Sequence, residues 1–388
     1  MLPKRDVIQG LRGWSIIFLL LFYSHNDTFP NGYVGADVMM IVSGFIAAYS
    51  FRRERVIDRT IIKDFYLRRA KRLLPLYYTG IFLTLVTCYL CFPISYQQMN
   101  LERSKTALLA ISNIKLTCFE NRYSIMICYS NAIGNFNIIT IKRVVPKNDV
   151  VSFLSLTSTA EAPSYATDAF QLPSAEDAFG HNWLPCILMQ WYLVAPVLFW
   201  IQRVLTDKDK LFFTGISVAS MVMYLFSRNM VAAYWLHSRL WQFCGGVMAA
   251  LYLPRDYELE QSPEKEALLS TQEKSTISGN TDKLRGDRSD VSTSWPDYIR
   301  TCLRHPVFFL PLLIPMVWFR FPTFDLRLYI TAAGSLLLYA GQKGESFSFL
   351  TNRVTIFLGN ISYPLYLAQW PIHCIAIYYS DITPICKF

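Results

Sequence analysis

Residues 52–94 read RRERVIDRTIIKDFYLRRAKRLLPLYYTGIFLTLVTCYLCFPI. Positions 52–72 hold nine bases against three acids, and the run at 75–94 that follows carries no charge. Crossing the hydrocarbon core of a bilayer takes about 20 apolar residues. Lys and Arg gather in the short loops on the cytoplasmic side of such spans. The stretch therefore predicts a cytoplasmic basic loop followed by a membrane helix.

Working outward, further apolar runs lie at 7–24, 34–51, 186–203, 211–227, 236–253, 305–320, 327–342 and 355–379, with a weaker one near 105–118. That predicts an all-α fold, a polytopic membrane helical bundle of about nine or ten transmembrane helices. Composition agrees: apolar residues make up 53% of the 388 and charged residues 17%, against about 25% charged in an average soluble domain. A soluble all-β protein, a disordered chain and a disulfide scaffold are all excluded on this ground. The chain is expected to be an integral, multi-pass partner of the lipid bilayer with a cytoplasmic N-terminus. HNDTFPNG at 25–32 then faces the lumen or exterior, and the basic stretch Arg203 to Lys210 falls back on the cytoplasmic side. The sequence does not distinguish plasma membrane from endomembrane.

The net charge is +9, but residues 256–295 hold nine acids and five bases, so the remainder carries +13. That surplus lies in loops beside apolar runs rather than on a soluble face, so it does not read as nucleic-acid binding. The polar segment 254–300, rich in Ser, Thr, Glu and Lys, reads as a flexible cytoplasmic linker. It separates an N-terminal part (1–253), with a large lumenal loop at about 119–180, from C-terminal helices of the same bundle (301–388). Nine cysteines form no metal-like spacing, and packing is the expected role of most; Cys118 and Cys128 could pair if their loop is lumenal.

Three clusters stand out chemically. Arg12 sits inside the first apolar run, and a charge within a span is by default a functional-site hypothesis; snorkelling to the interface is the plain alternative. In FPNGYVGADVMMIVSGF (29–45), Asp37 lies a few residues into a glycine-punctuated span. It could bind a cation, orient a partner or simply sit at the interface. In FYLRRAKRLLPLYY (65–78), Arg68, Arg69 and Arg72 crowd one turn and a half of helix. Guanidinium groups recognise phosphate oxygens bidentately, so this cluster suits the phosphates of a coenzyme A thioester; a topogenic anchor on anionic lipid is the alternative.

In order, the chain reads IQGLRGWSIIFLLLF, FPNGYVGADVMMIVSGF, FYLRRAKRLLPLYY, HNWLPCILMQWYLVAPVLF, SRLWQFCGGVMA and LGNISYPLYLAQWPI. This succession resembles the signature blocks of the acyltransferase-3 family of multi-span membrane O-acyltransferases. It covers about residues 5–110, 180–255 and 305–375. The resemblance implies a bundle of about ten helices that moves an acyl group, not an amino-acyl group, from acyl-CoA as co-substrate to a hydroxyl of a carbohydrate or lipid acceptor. No bound cofactor and no metal are implied. Arg12 matches the family's first-span arginine, and Arg68, Arg69, Arg72 and Asp37 match as well.

Three polar positions depart from the pattern. Tyr23 stands where the family carries a His, Leu188 where it carries a Glu, and Gln369 where it carries a second His. Acyl transfer to a hydroxyl needs a base, and an imidazole titrating near neutrality suits that task. A phenol with a reference pKa near 10 does not. The nearest imidazole is His25, so Arg12 and His25 are the expected catalytic residues, with Arg68, Arg69 and Arg72 holding the donor. The other histidines do not read as replacements: His181, before the Trp block, could face the lumen, while His237, His305 and His373 read as packing or interfacial residues. The second reading is a catalytically silent member of the same fold, acting as a membrane binding or regulatory protein. A transporter or lipid-handling protein is a third, because glycine-interrupted spans occur there too.

Overall fold

The computed structural model describes residues 5–52, 58–114, 177–206, 208–227, 234–253, 322–342 and 349–382. Among them are ten α-helices, one short 3-10 turn at Gly180–Asn182 and no strand. The helices are α1 (Arg5–Ser24), α2 (Val34–Arg52), α3 (Arg59–Cys91), α4 (Ile94–Leu108), α5 (Trp183–Leu205), α6 (Asp209–Phe226), α7 (Leu236–Leu251), α8 (Thr323–Gln342), α9 (Arg353–Asn360) and α10 (Ser362–Ile382). Five of the helical stretches are long and apolar enough to cross a membrane: Asp6–Ser24, Val34–Arg52, Arg59–Cys91, Gly180–Leu205 and Asp209–Phe226. The all-α membrane bundle expected from the apolar runs is the fold observed.

Where helices and apolar runs differ, backbone chemistry explains the difference. The basic stretch predicted as a loop is helical from Arg59, because α3 is one 33-residue helix that begins there and continues through the apolar run. Arg, Lys, Leu and Ala are good helix formers, and the Asp58 carboxylate caps the start by accepting from the Arg59 amide at 2.7 Å. At 1.5 Å per residue α3 is about 50 Å long, well beyond a hydrocarbon core of about 30 Å. The described part of the weak run near 105–118, which ends at residue 114, is not one continuous helix. The polar α4 ends instead at Leu108, and Ala110 turns the chain at a φ of 54°. The last run is broken at Ile361 into α9 and α10, directly after Gly359 and Asn360, two poor helix formers. The run at 305–320, Cys118, Cys128, Cys302, His305, the segment 254–300 and all of 119–180 before Asp177 lie outside the described residues.

The centre of the bundle is α2, where every side chain except those of Ser50 and Arg52 is buried. A helix buried all round has no polar face to spare, which matches its largely apolar sequence, with Asp37 and Ser43 as its buried polar side chains. It packs against α7, α1, α8 and α5. The crossing with α7 is backbone on backbone: a Cβ added to Gly246 would strike the Ile41 carbonyl, and one added to Gly44 would strike that of Phe243. Glycine is what lets two helices approach so closely. Arg52, at the end of α2, donates to the carbonyls of Ala250 and Leu253 and so closes the C-terminal end of α7.

The bundle thus has two distinguishable ends. One, the basic end, holds the start of α1, the first turns of α3 and Arg203, whose guanidinium donates to the Phe51 carbonyl at 3.3 Å. The other, the loop end, holds the turn between α1 and α2.

Candidate functional site

Toward the basic end, α1, α2, α3, α5 and α10 enclose a pocket of about 50 Å³. Arg12 enters it from α1, and Arg69 and Arg72 enter from α3. The lining includes Ser43, Tyr192, Ser362, Tyr363 and Tyr366 as hydroxyl groups, and no carboxylate. Arg69 is held by stacking, its guanidinium carbon 4.9 Å from the Tyr192 ring centre and 5.4 Å from that of Phe65. Such cation–π contact fixes a guanidinium plane without neutralising it. Tyr66 docks α3 onto α5 by donating to the Leu193 carbonyl at 2.8 Å.

Of the five expected site residues, the structure brings three together and places Arg68 and His25 apart from them. Arg12, Arg69 and Arg72 meet in one pocket, although 57 positions separate Arg12 from Arg69. Arg68 is exposed and does not line it. The inward edge of α3 runs through Phe65, Arg69 and Leu73, and a step of one residue swings Arg68 off that edge by about 100°. His25 is exposed in the turn after α1, where its carbonyl accepts from the amides of Thr28 and Phe29. Thirteen residues of helical rise put it about 20 Å from Arg12, so the structure does not bring these two together.

The three departing positions occupy three different surroundings. Leu188 is buried and lines the arginine pocket directly. Tyr23 is buried against Trp370, with ring centres 5.0 Å apart, and its hydroxyl neighbours that of Tyr366. Tyr366 in turn donates to the His181 carbonyl at 2.7 Å and lines the pocket. Gln369 has no hydrogen-bond partner for its amide among the described residues. His181, which the sequence left free to face the lumen, is buried beside the Tyr366 ring, 5.6 Å centre to centre.

A second charged centre, toward the loop end, was missed by sequence reasoning. The Asp37 carboxylate lies 3.2 Å from Nη1 of Arg239 on α7 and 3.7 Å from Nε of Arg327 on α8. All three side chains are buried. Arg239 also donates to Gln242 Oε1 at 3.2 Å, and Arg327 to the Tyr224 hydroxyl at 3.5 Å. Tyr224 and Tyr33 present their ring faces to the two guanidiniums. In the loop before α2, burial pushes the Tyr33 phenol up to about 12, with Arg327 pulling against it. Of the alternatives for Asp37, the structure selects the partner-orienting one: its carboxylate draws α7 and α8 onto α2. The available signal was the presence of Arg239 and Arg327 inside apolar runs, where a charge always asks for a partner.

No protein-family model matches the chain, and no solved structure matches it. Among curated proteins, the chain is similar to one named "Putative peptidoglycan O-acetyltransferase YrhL", from Bacillus subtilis (strain 168). The two are 28% identical over 80 residues, which is 20% of this chain and 13% of that protein.

Proposed function

We propose that the chain is a membrane O-acyltransferase of the acyltransferase-3 type. Arg12, Arg69 and Arg72 hold the phosphates of an acyl-CoA, and the acyl group passes to a hydroxyl of a carbohydrate or lipid. One observation carries this reading: three guanidiniums from two separate sequence blocks, Arg12 from one and Arg69 and Arg72 from the other, meet in a pocket whose lining has no acid. Such a site favours a polyanionic ligand, because each arginine adds attraction for phosphate oxygens. The similarity to the Bacillus subtilis protein, although short, supports acyl transfer as the reaction class. In the reaction the thioester C–S bond breaks as the ester C–O bond forms, and the acceptor's proton ends on the departing sulfur. His25 is the candidate to relay that proton from an acceptor arriving at the loop end.

One observation favours the silent-member reading. Tyr23 is packed against Trp370 where an imidazole would be needed, and the pocket lining contains no His, Asp or Glu. Turnover separates the two readings. Purified protein in lipid nanodiscs is incubated with radiolabelled acetyl-CoA and longer acyl-CoAs, and thioester loss and ester formation are followed. Arg12→Met and Arg69→Met are expected to weaken donor binding, each by about 1.5–3 kcal/mol for a lost charge-assisted hydrogen bond. His25→Ala is expected to slow transfer by about 10²–10⁴-fold. Donor binding with no turnover in the unaltered chain selects the silent member. Binding unaffected by both arginine changes would remove the donor site.

A further inference from the structure

The charges buried toward the loop end do not balance. Among the described residues, the buried side chains of fixed charge are Arg239, Arg327 and Asp37. Asp37 is within ion-pair distance of both arginines, so the cluster keeps one positive charge after its carboxylate is counted. A charge stripped of water without a counter-charge is costly to bury. The ring faces of Tyr33 and Tyr224 ease that cost, but a ring quadrupole does not neutralise a guanidinium. Asp27 in the turn after α1 and Asp325 in the first turn of α8 are exposed, so solvent and salt screen them from the cluster.

The backbone adds to the surplus. Asp37 and Arg239 are the fourth residues of α2 and α7, and Arg327 is the fifth of α8. These three helices pack on one another, so three helix N-termini meet at the cluster. Each is equivalent to about +0.5 charge, and helical side chains lean toward the N-terminus of their own helix. Hydrogen bonding is incomplete there as well, and on the donor side. Nε and Nη2 of Arg327 and Nε2 of Gln242 have no hydrogen-bond partner among the described residues, and both side chains are fully buried. Asp37 Oδ2 also lacks a hydrogen bond, but at 3.7 Å it faces Nε of Arg327 alone. Leaving buried donors unpaired costs free energy, most of all when the donor is charged. Positive surplus, converging helix N-termini and spare N–H donors together describe a site for an anion.

We propose that a small, singly charged anion, a halide ion or a carboxylate group, binds at Arg327, Gln242 and Arg239 as the counter-charge that Asp37 alone does not provide. One negative charge matches the surplus, and the complete burial of the three side chains disfavours a bulky, multiply charged phosphate. The site shares no residue with the arginine pocket near the basic end, and it does not depend on acyl transfer. An anion held there ties α7 and α8 to α2 at their first turns. Packing at the loop end then depends on the anion supplied from that face of the membrane.

The test is thermal unfolding of the full chain in phosphatidylcholine nanodiscs after exchange into sodium gluconate, whose anion is too bulky for a closed cluster. Chloride, bromide or acetate then replaces gluconate at constant ionic strength. A ligand that binds only the folded state raises the unfolding midpoint in proportion to its occupancy, here by at least about 2 °C. A response to the halides identifies an inorganic ion and a response to acetate alone a carboxylate group; either supports the site. Gln242→Glu puts a fixed carboxylate where the anion is expected. It should unfold at a higher temperature than the native chain in gluconate and lose the response to added anion. Arg327→Gln leaves Asp37 paired with Arg239 alone and should lose the response too; Gln242→Glu decides the matter if Arg327→Gln does not fold. A midpoint that none of the three anions moves overturns the proposal, as does a Gln242→Glu chain less stable than the native one in gluconate. A response that both variants keep in full is screening of surface charge and overturns it as well.

Discussion

Two arginines and one aspartate buried together at Asp37, Arg239 and Arg327 make the most exacting demand of any residues in the bundle. Removing one member of a buried charge cluster leaves the others uncompensated in low dielectric, at a cost of about 3–5 kcal/mol. Asp37→Ala is therefore expected to lower the thermal unfolding midpoint sharply and to reduce monodisperse protein on size exclusion. Asp37→Glu, which keeps the charge, should lose less. Equal stability of all three proteins would show that the aromatic faces alone carry the guanidiniums. Leu188 poses the opposite question, because an introduced carboxylate there would meet Arg12 in the same pocket. Leu188→Glu is expected to cost less in the unaltered chain than in an Arg12→Met, Arg69→Met background. The difference should be about 0.5–3 kcal/mol in a double-mutant cycle of thermal stability, and additivity would place the carboxylate out of reach of both arginines.

Helix against helix, stability depends on small residues at crossings. Gly246 and Gly44 let α7 lie directly on α2, and Gly13 and Gly359 do the same for α1 and α9, a Cβ at either meeting the carbonyl of Thr355 or Gln9. Gly246→Leu is expected to cost more than the 1–3 kcal/mol typical of about one overpacked methylene group, because the obstacle is backbone and cannot rotate away. Loss of the folded peak in detergent, against retention for Gly215→Leu on α6, where an added Cβ meets nothing within 4 Å, checks that claim. The helix α3 works differently. Its first turns bring Arg69 and Arg72 to the pocket.

For the whole molecule, the first matter is how it sits in a bilayer. The basic end is expected to face the cytoplasm, from the charge bias of residues 52–72. Single cysteines introduced for exposed His25 and exposed Lys208 in a chain cleared of its own exposed thiols should react with an impermeant maleimide on opposite sides of sealed vesicles. Labelling on the same side would overturn the orientation. The apolar runs and basic loops determined the class of fold without help, because helix length is set by bilayer thickness and both signals are local in sequence. Glycines and the arginines of α3 were visible as well, since each is unusual where it stands. Three things were decided only by tertiary structure. Arg12 joins Arg69 and Arg72 while Arg68 faces outward, because which edge of α3 turns inward depends on what α3 packs against. Asp37 finds its partners 202 and 290 positions away. His25, two residues past Tyr23, lies exposed in the turn while Tyr23 is sealed beneath Trp370. A pattern along one helix specifies what that helix can bury, but pairing between helices depends on how several are assembled around α2.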